Sequence, residues 1–249
     1  MAKKTTALVT FLLDRSGSMA GIKEATILGF NEYLNGLKKD KKSAIDFTLL
    51  QFDTASIDKL HVAVPVAKAE ERTNANFQPR GGTPLIDACV TTIHAVAASL
   101  EKRADKPKVV VCFQTDGHEN ASTENTWENL KALIKAKQEE GWEFNFMGAG
   151  IDAYEQASQM GIGAGSTMSY DAEDVGATTA AFAASSRNTR SYVSGQSTST
   201  AYTARQKRAS GDKYDPATLK PAPASRAPLD LTTRSAGGGG TAGLDLTKP

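Results

Sequence analysis

Cysteine is nearly absent from this chain: Cys89 and Cys112 are the only two in 249 residues. A disulfide-stapled scaffold is thereby excluded, and neither cysteine has a second Cys or a His at zinc-ligand spacing. Two such thiols read as buried small hydrophobes of a reducing compartment, with a single disulfide as the alternative. An excess of charge of either sign is missing too. Lys and Arg number 29 and Asp and Glu 28, a net of +1. That balance lacks the basic footprint of a nucleic-acid binder, so no nucleic-acid partner is expected. Long apolar runs are also lacking, since a membrane helix needs about 20 consecutive apolar residues. Lys3, Lys4 and the apolar stretch after them superficially suit a secretion signal. The stretch stops at Asp14 and Arg15, too short for that role, and reads as a strand. The expected location is cytoplasmic.

What remains is ordinary globular material, 40% hydrophobic and 23% charged. The charge is unevenly placed. Residues 1–195 carry 21 Lys and Arg against 24 Asp and Glu, and residues 196–249 carry 8 against 4. The order of patterns is regular. Near-continuous apolar segments at 7–13, 43–53, 106–117 and 142–150 predict buried strands, with a short one at 166–171. A strand at 60–67 contains Pro65, which places it on an edge. Helical spacing covers 22–37, 85–102, 123–140, 152–160 and 171–186. Strands alternating with helices predict an α/β fold with a doubly wound, mostly parallel central sheet and helices on both faces. The pattern ends near Ser194. A domain over 1–194 is expected, followed at 195–249 by a Ser/Thr/Ala/Gly/Pro-rich tail, flexible or ordered by a partner.

The first strand ends in "LLDRSGSM". In an open α/β sheet ligands bind at the C-terminal ends of strands. Residues at i, i+2 and i+4 of an extended segment point the same way, so Asp14, Ser16 and Ser18 can bring their oxygens to one point. Thr83, in "GGTPL", opens the helix at 85, and Asp116, in "FQTDG", closes another buried strand. Two carboxylates and three hydroxyls at one sheet edge form a hard, oxygen-only donor set, suited to Mg²⁺ or Mn²⁺ before Ca²⁺.

With these motifs in this order the sequence resembles the von Willebrand factor type A domain of compact bacterial or phage type, with its metal-ion-dependent adhesion site. "DRSGSM" matches the first metal loop, Thr83 the second and Asp116 the third. The resemblance implies that Ser16 and Ser18 bind the metal directly, and that Thr83, Asp14 and Asp116 bind it directly or through water. It also implies a non-enzymatic module that takes a partner's Asp or Glu on the metal. Two other functions stand beside this one. The chain could be a structural component of a large assembly such as a phage virion, tethered by its tail. It could also be a metal-dependent hydrolase, against which stands the lack of an evident base.

Other stretches have plainer readings. "GAGIDA" (148–153) matches a dinucleotide fingerprint, yet too little α/β structure follows it, and a tight strand-to-helix turn is expected. His118 and Glu119 in "DGHEN" suit a polar loop rimming the metal face. His61 and His94 sit in apolar patterns and read as structural. "KKDKK" (38–42) reads as a solvated helix end, and "RQKRAS" (205–210) as solubilising tail. Leu-Asp-Leu-Thr occurs twice, at 229–232 and 244–247, around the glycines 237–240. Each copy could add to a sheet edge, giving self-assembly through the tail.

Overall fold

The computed structural model describes residues 5–151, 153–215 and 220–221. Six strands form one sheet: β1 (Thr6–Asp14), β2 (Ala44–Phe52), β3 (Ile57–Pro65), β4 (Lys108–Thr115), β5 (Glu143–Ala149) and β6 (Thr167–Tyr170). Their spatial order is β3-β2-β1-β4-β5-β6. All neighbours run parallel except β2 and β3. The sheet reverses its winding at β1, so the ends of β1 and β4 flank the switch point where such sheets bind ligands. The expected α/β fold is therefore the observed one, with β3 on an edge and Pro65 as its last residue.

Helices α1 (Lys23–Lys38) and α5 (Val175–Val193) cover one face, and α2 (Leu85–Glu101), α3 (Trp127–Glu139) and α4 (Ala153–Met160) the other. β1 supplies both cores. Val9, Phe11 and Leu13 join Phe30, Tyr33 and Phe182 under α1 and α5. Leu8 and Leu12 join Ile93, Phe113 and Ile134 on the other side. Burial on both faces is why this strand is apolar at nearly every position instead of alternating. Cys89 and Cys112 are free and buried. Among the described residues, no helix is long and apolar enough to cross a membrane.

The expected boundary after residue 194 needs correction. Packed structure runs on to Asp212. Tyr202 joins the core under α5, and its N–H donates to the Gly165 carbonyl at 2.8 Å. Thr200 is buried, its backbone N–H donating to Glu143 and its hydroxyl bonded to Glu143 and Asn145. "RQKRAS" is not a solubilising tail but most of α6 (Ala204–Ala209) and its end. Thr203 and Gln206 close a capping box on this helix, and Lys207 is buried with its ammonium on Tyr154 Oη at 2.9 Å and the Ala164 carbonyl. Composition concealed this segment because hydrogen bonds, with one large aromatic anchor, hold it in place of broad apolar burial. The two Leu-Asp-Leu-Thr copies lie outside the described residues. "GAGIDA" is the tight turn expected: Gly150 has a positive φ of 66° and α4 starts at Ala153.

Candidate metal site

Five residues were singled out in the sequence, and the fold brings them to the C-terminal edge of β1 and β4. Asp14 is the last residue of β1 and is wholly buried. Its Oδ1 accepts the Ser16 N–H at 2.6 Å, which folds the chain back immediately after the strand. Its Oδ2 accepts the Thr115 hydroxyl at 2.5 Å. The Ser16 and Ser18 hydroxyls lie 3.1 Å apart, and the Ser18 hydroxyl donates to Asp116 Oδ1 at 2.7 Å. Thr83 is buried, and its backbone is clamped by Asn120, whose side-chain oxygen takes the Thr83 N–H while the Thr83 carbonyl accepts the Asn120 N–H. Gly117 measures how closely these groups converge. A Cβ placed there would stand 3.2 Å from Thr83 Oγ1 and 3.5 Å from Ser18 Oγ.

Three loops carry the site, and each is tied to another. The Gly17 N–H donates to the Gly81 carbonyl at 2.9 Å, and the Arg80 N–H to the Arg15 carbonyl at 2.9 Å. Gly81 has a φ of +68°, a conformation that a side chain would strain. Arg15 turns away from the site. Its guanidinium pairs with buried Asp53 at 2.7 Å and with Asp58 at 2.7 Å. Glu119 belongs to the scaffold. It accepts from Ile86 N–H in the first turn of α2 and from Ala121 and Ser122 N–H in its own loop. Asp87 answers from α2 by accepting from the Thr123, Glu124 and Asn125 N–H groups. The bond from Ile86 satisfies an orphan amide at the start of α2, and together these bonds tie that helix to the loop after β4.

The electrostatics favour a cation. Burial pushes the Asp14 carboxyl up to about 6, against the hydrogen bonds from Thr115 and Ser16, and the nearby Asp116 charge adds to the rise. Burial likewise raises Asp116, partly offset by Ser18. The salt bridges among the described residues engage neither carboxylate. Two desolvated carboxylates without a basic partner are costly unless a positive charge sits between them. Among the described residues there is no cluster of three or more His, Cys, Asp and Glu that could hold a metal. A metal at this edge must therefore draw on hydroxyl oxygens, and Ser16, Ser18 and Thr83 supply them. The residues present fit a hard, oxygen-liganded divalent ion.

Thr115, Gly117 and Asn120 were not expected as contributors. Thr115 and Gly117 flank Asp116 in the sequence, so adjacency was the available signal. Asn120 acts only through the folded loop.

Several solved structures share this fold. A von Willebrand factor type A structure from Catenulispora acidiphila matches with a TM-score of 0.51 at 13% identity, over 78% of this chain and 44% of that one. The pilus adhesin SpaC of Lactobacillus rhamnosus GG, in its open conformation, matches at 0.55 and 14%, over 79% and 31%. The vWF domain of the type V pilus tip protein Mfa5 of Porphyromonas gingivalis matches at 0.51 and 10%, over 77% and 96%. The fold is that of a von Willebrand factor type A domain. The chain spans less than half the length of the first structures it matches. No protein-family model matches the sequence, and no curated protein matches it either. At such identities the likeness carries the fold, and the site rests on the geometry above.

Proposed function

We propose that this type A domain is a non-enzymatic protein-interaction module with a metal-ion-dependent adhesion site, working through a divalent metal held at Asp14, Ser16, Ser18, Thr83 and Asp116. The observation that carries this reading is the convergence of three hydroxyls on two carboxylates, Asp14 buried and Asp116 half-buried, that no basic side chain pairs among the described residues. Mg²⁺ and Mn²⁺ suit the donor set better than Ca²⁺, because few protein oxygens are offered and water must complete the shell. A bound ion supplies a Lewis-acidic position that neutral hydroxyls leave largely unquenched. The chain's own part is to hold the oxygens in place. Thr115 orients Asp14, Asn120 orients the Thr83 backbone, and Ser18 bridges the first loop to Asp116. The partner presents an Asp or Glu side chain. The neighbours SpaC and Mfa5 are a pilus adhesin and a pilus tip protein, which supports an interaction role for the same fold here.

Calorimetric titration of the full chain with Mg²⁺ and Mn²⁺ tests the site. One site is expected, and Asp14→Ala should abolish it. Binding unchanged in that variant would overturn the assignment. Affinity capture with and without chelator, read by mass spectrometry, tests the partner. A partner retained in chelator would show that another surface binds it.

A cytoplasmic setting and a place in a larger particle such as a virion are both compatible with this reading. The duplicated Leu-Asp-Leu-Thr supports self-assembly as a second role. Deleting residues 225–249 should then lower assembly without changing metal binding or melting temperature. Equal assembly of the shortened chain would remove that role.

A further inference from the structure

At the opposite pole of the sheet, "KKDKK" does more than end a helix. The turn from α1 into β2 meets the last turns of α5, some 150 residues later in the chain, around a cleft of about 380 Å³. Lys39, Lys41 and Lys42 line it from the turn, and Arg187 and Arg190 from α5, with Asp40 as the only carboxylate among the described residues that line it. One oxygen of Asp40 is committed to the turn, accepting the Lys42 and Ser43 N–H groups at 2.7 and 3.1 Å. None of the five cations takes part in a salt bridge among the described residues. Among the described residues, neither the buried Nε of Arg190 nor the other, buried oxygen of Asp40 has a hydrogen-bond partner. Ser191 and Ser194 add hydroxyls to the wall.

Helix capping explains only part of this. Lys41 Nζ donates to the Lys38 carbonyl at 3.2 Å, as a cation at a helix C-terminus should. The end of α5 is closed by backbone bonds from Ser194 and Gly195 to the Arg190 and Tyr192 carbonyls. Lys39, Lys42, Arg187 and Arg190 are left over. Bringing like charges from two distant segments into one cleft is unfavourable without an anion. Two guanidiniums, with their planar forks of N–H groups, suit an oxyanion with several oxygens, and five cations exceed what one carboxylate needs.

We propose that this cleft binds the phosphoryl group of a small ligand, independently of the metal edge. The test is calorimetric titration of the full chain with inorganic pyrophosphate, in chelator so that no metal complex forms, at low salt. Wild type should bind one equivalent with sub-millimolar affinity. The double variant Lys42→Gln/Arg187→Gln changes two exposed residues and should weaken binding by at least about tenfold. A control, Lys131→Gln/Lys135→Gln on the exposed face of α3, should leave it unchanged. Circular dichroism checks that each variant is folded. Sedimentation with vesicles, with and without a phosphoinositide, separates the sources. Wild type pelleting only with the phosphoinositide, and the double variant staying in solution, would identify a lipid headgroup. Pyrophosphate binding without pelleting would identify a soluble phosphate ester. Absence of binding in wild type, equal loss in the control, or displacement by an acidic peptide but not by pyrophosphate would each overturn the proposal.

Discussion

The Thr115 hydroxyl donates to Asp14 Oδ2 at 2.5 Å, joining the ends of two adjacent parallel strands. The Thr115 hydroxyl oxygen in turn accepts the Gly117 N–H at 3.1 Å. One hydroxyl thus sets both a buried carboxylate and the turn that carries Asp116. Thr115→Val keeps the shape and removes the donor. A hydrogen bond to a charged group contributes about 1.5–3 kcal/mol, and stability should fall by that order. Metal affinity should fall with it, because Asp14 loses its orientation. Urea unfolding and calorimetry on the same variant read both. A variant as stable as wild type would show that Asp14 is positioned by Ser16 alone.

Gly117 leaves room for the oxygens around it. Gly117→Ala would put a methyl 3.2 Å from Thr83 Oγ1, tight enough that the threonine must shift. Metal affinity should drop several-fold, while stability changes by no more than about 1 kcal/mol, since no large core group is touched. Undiminished affinity would mean that Thr83 lies outside the coordinating set.

The end of the packed domain is open to truncation. A chain ending at residue 213 should melt like the full chain. One ending at residue 194 loses Tyr202, buried Thr200 and the Lys207–Tyr154 bond. Removing a buried aromatic alone costs about 3–5 kcal/mol, so the shorter chain should melt far lower. Equal melting temperatures for the two would restore the domain boundary to residue 194.

Acid should weaken the loop that follows β1. Burial tends to raise the Asp53 carboxyl, but hydrogen bonds from Arg80 and the Ala55 N–H, with the Arg15 charge, hold it below the usual carboxylate range. A carboxyl lowered on folding contributes stability in full above its unfolded value of about 3.9, and that contribution is lost as pH falls through the folded value. Wild type should therefore lose stability below about pH 4. Asp53→Asn leaves buried Arg15 short of a partner and should cost about 3 kcal/mol at neutral pH. Its stability should then fall less steeply in acid. Superimposable acid limbs for the two proteins would show that the pair does not govern this range.

Most of the fold was legible in sequence because burial leaves a period. β1, β4 and β5 are covered on both faces and so are apolar at most positions. β3 declared its edge position through Pro65. The five candidate residues stood out because each sits in a short local motif near the end of an element. α6 and its approach were not. Thr200, Thr203 and Lys207 are polar, and polar residues announce neither helix nor burial until their partners are known. Those partners, among them Glu143, Asn145 and Tyr154, lie more than fifty residues away along the chain. The basic cleft followed the same logic. "KKDKK" alone signals a solvated helix end, and only the packing of α1 against α5 brings Arg187 and Arg190 beside it. Sequence by itself determined the period, the elements and which oxygen-bearing residues stand near the element ends, since those are local properties of the chain. Tertiary structure decided which distant polar groups meet, because a hydrogen bond or a charge cluster depends on distances that local sequence does not set.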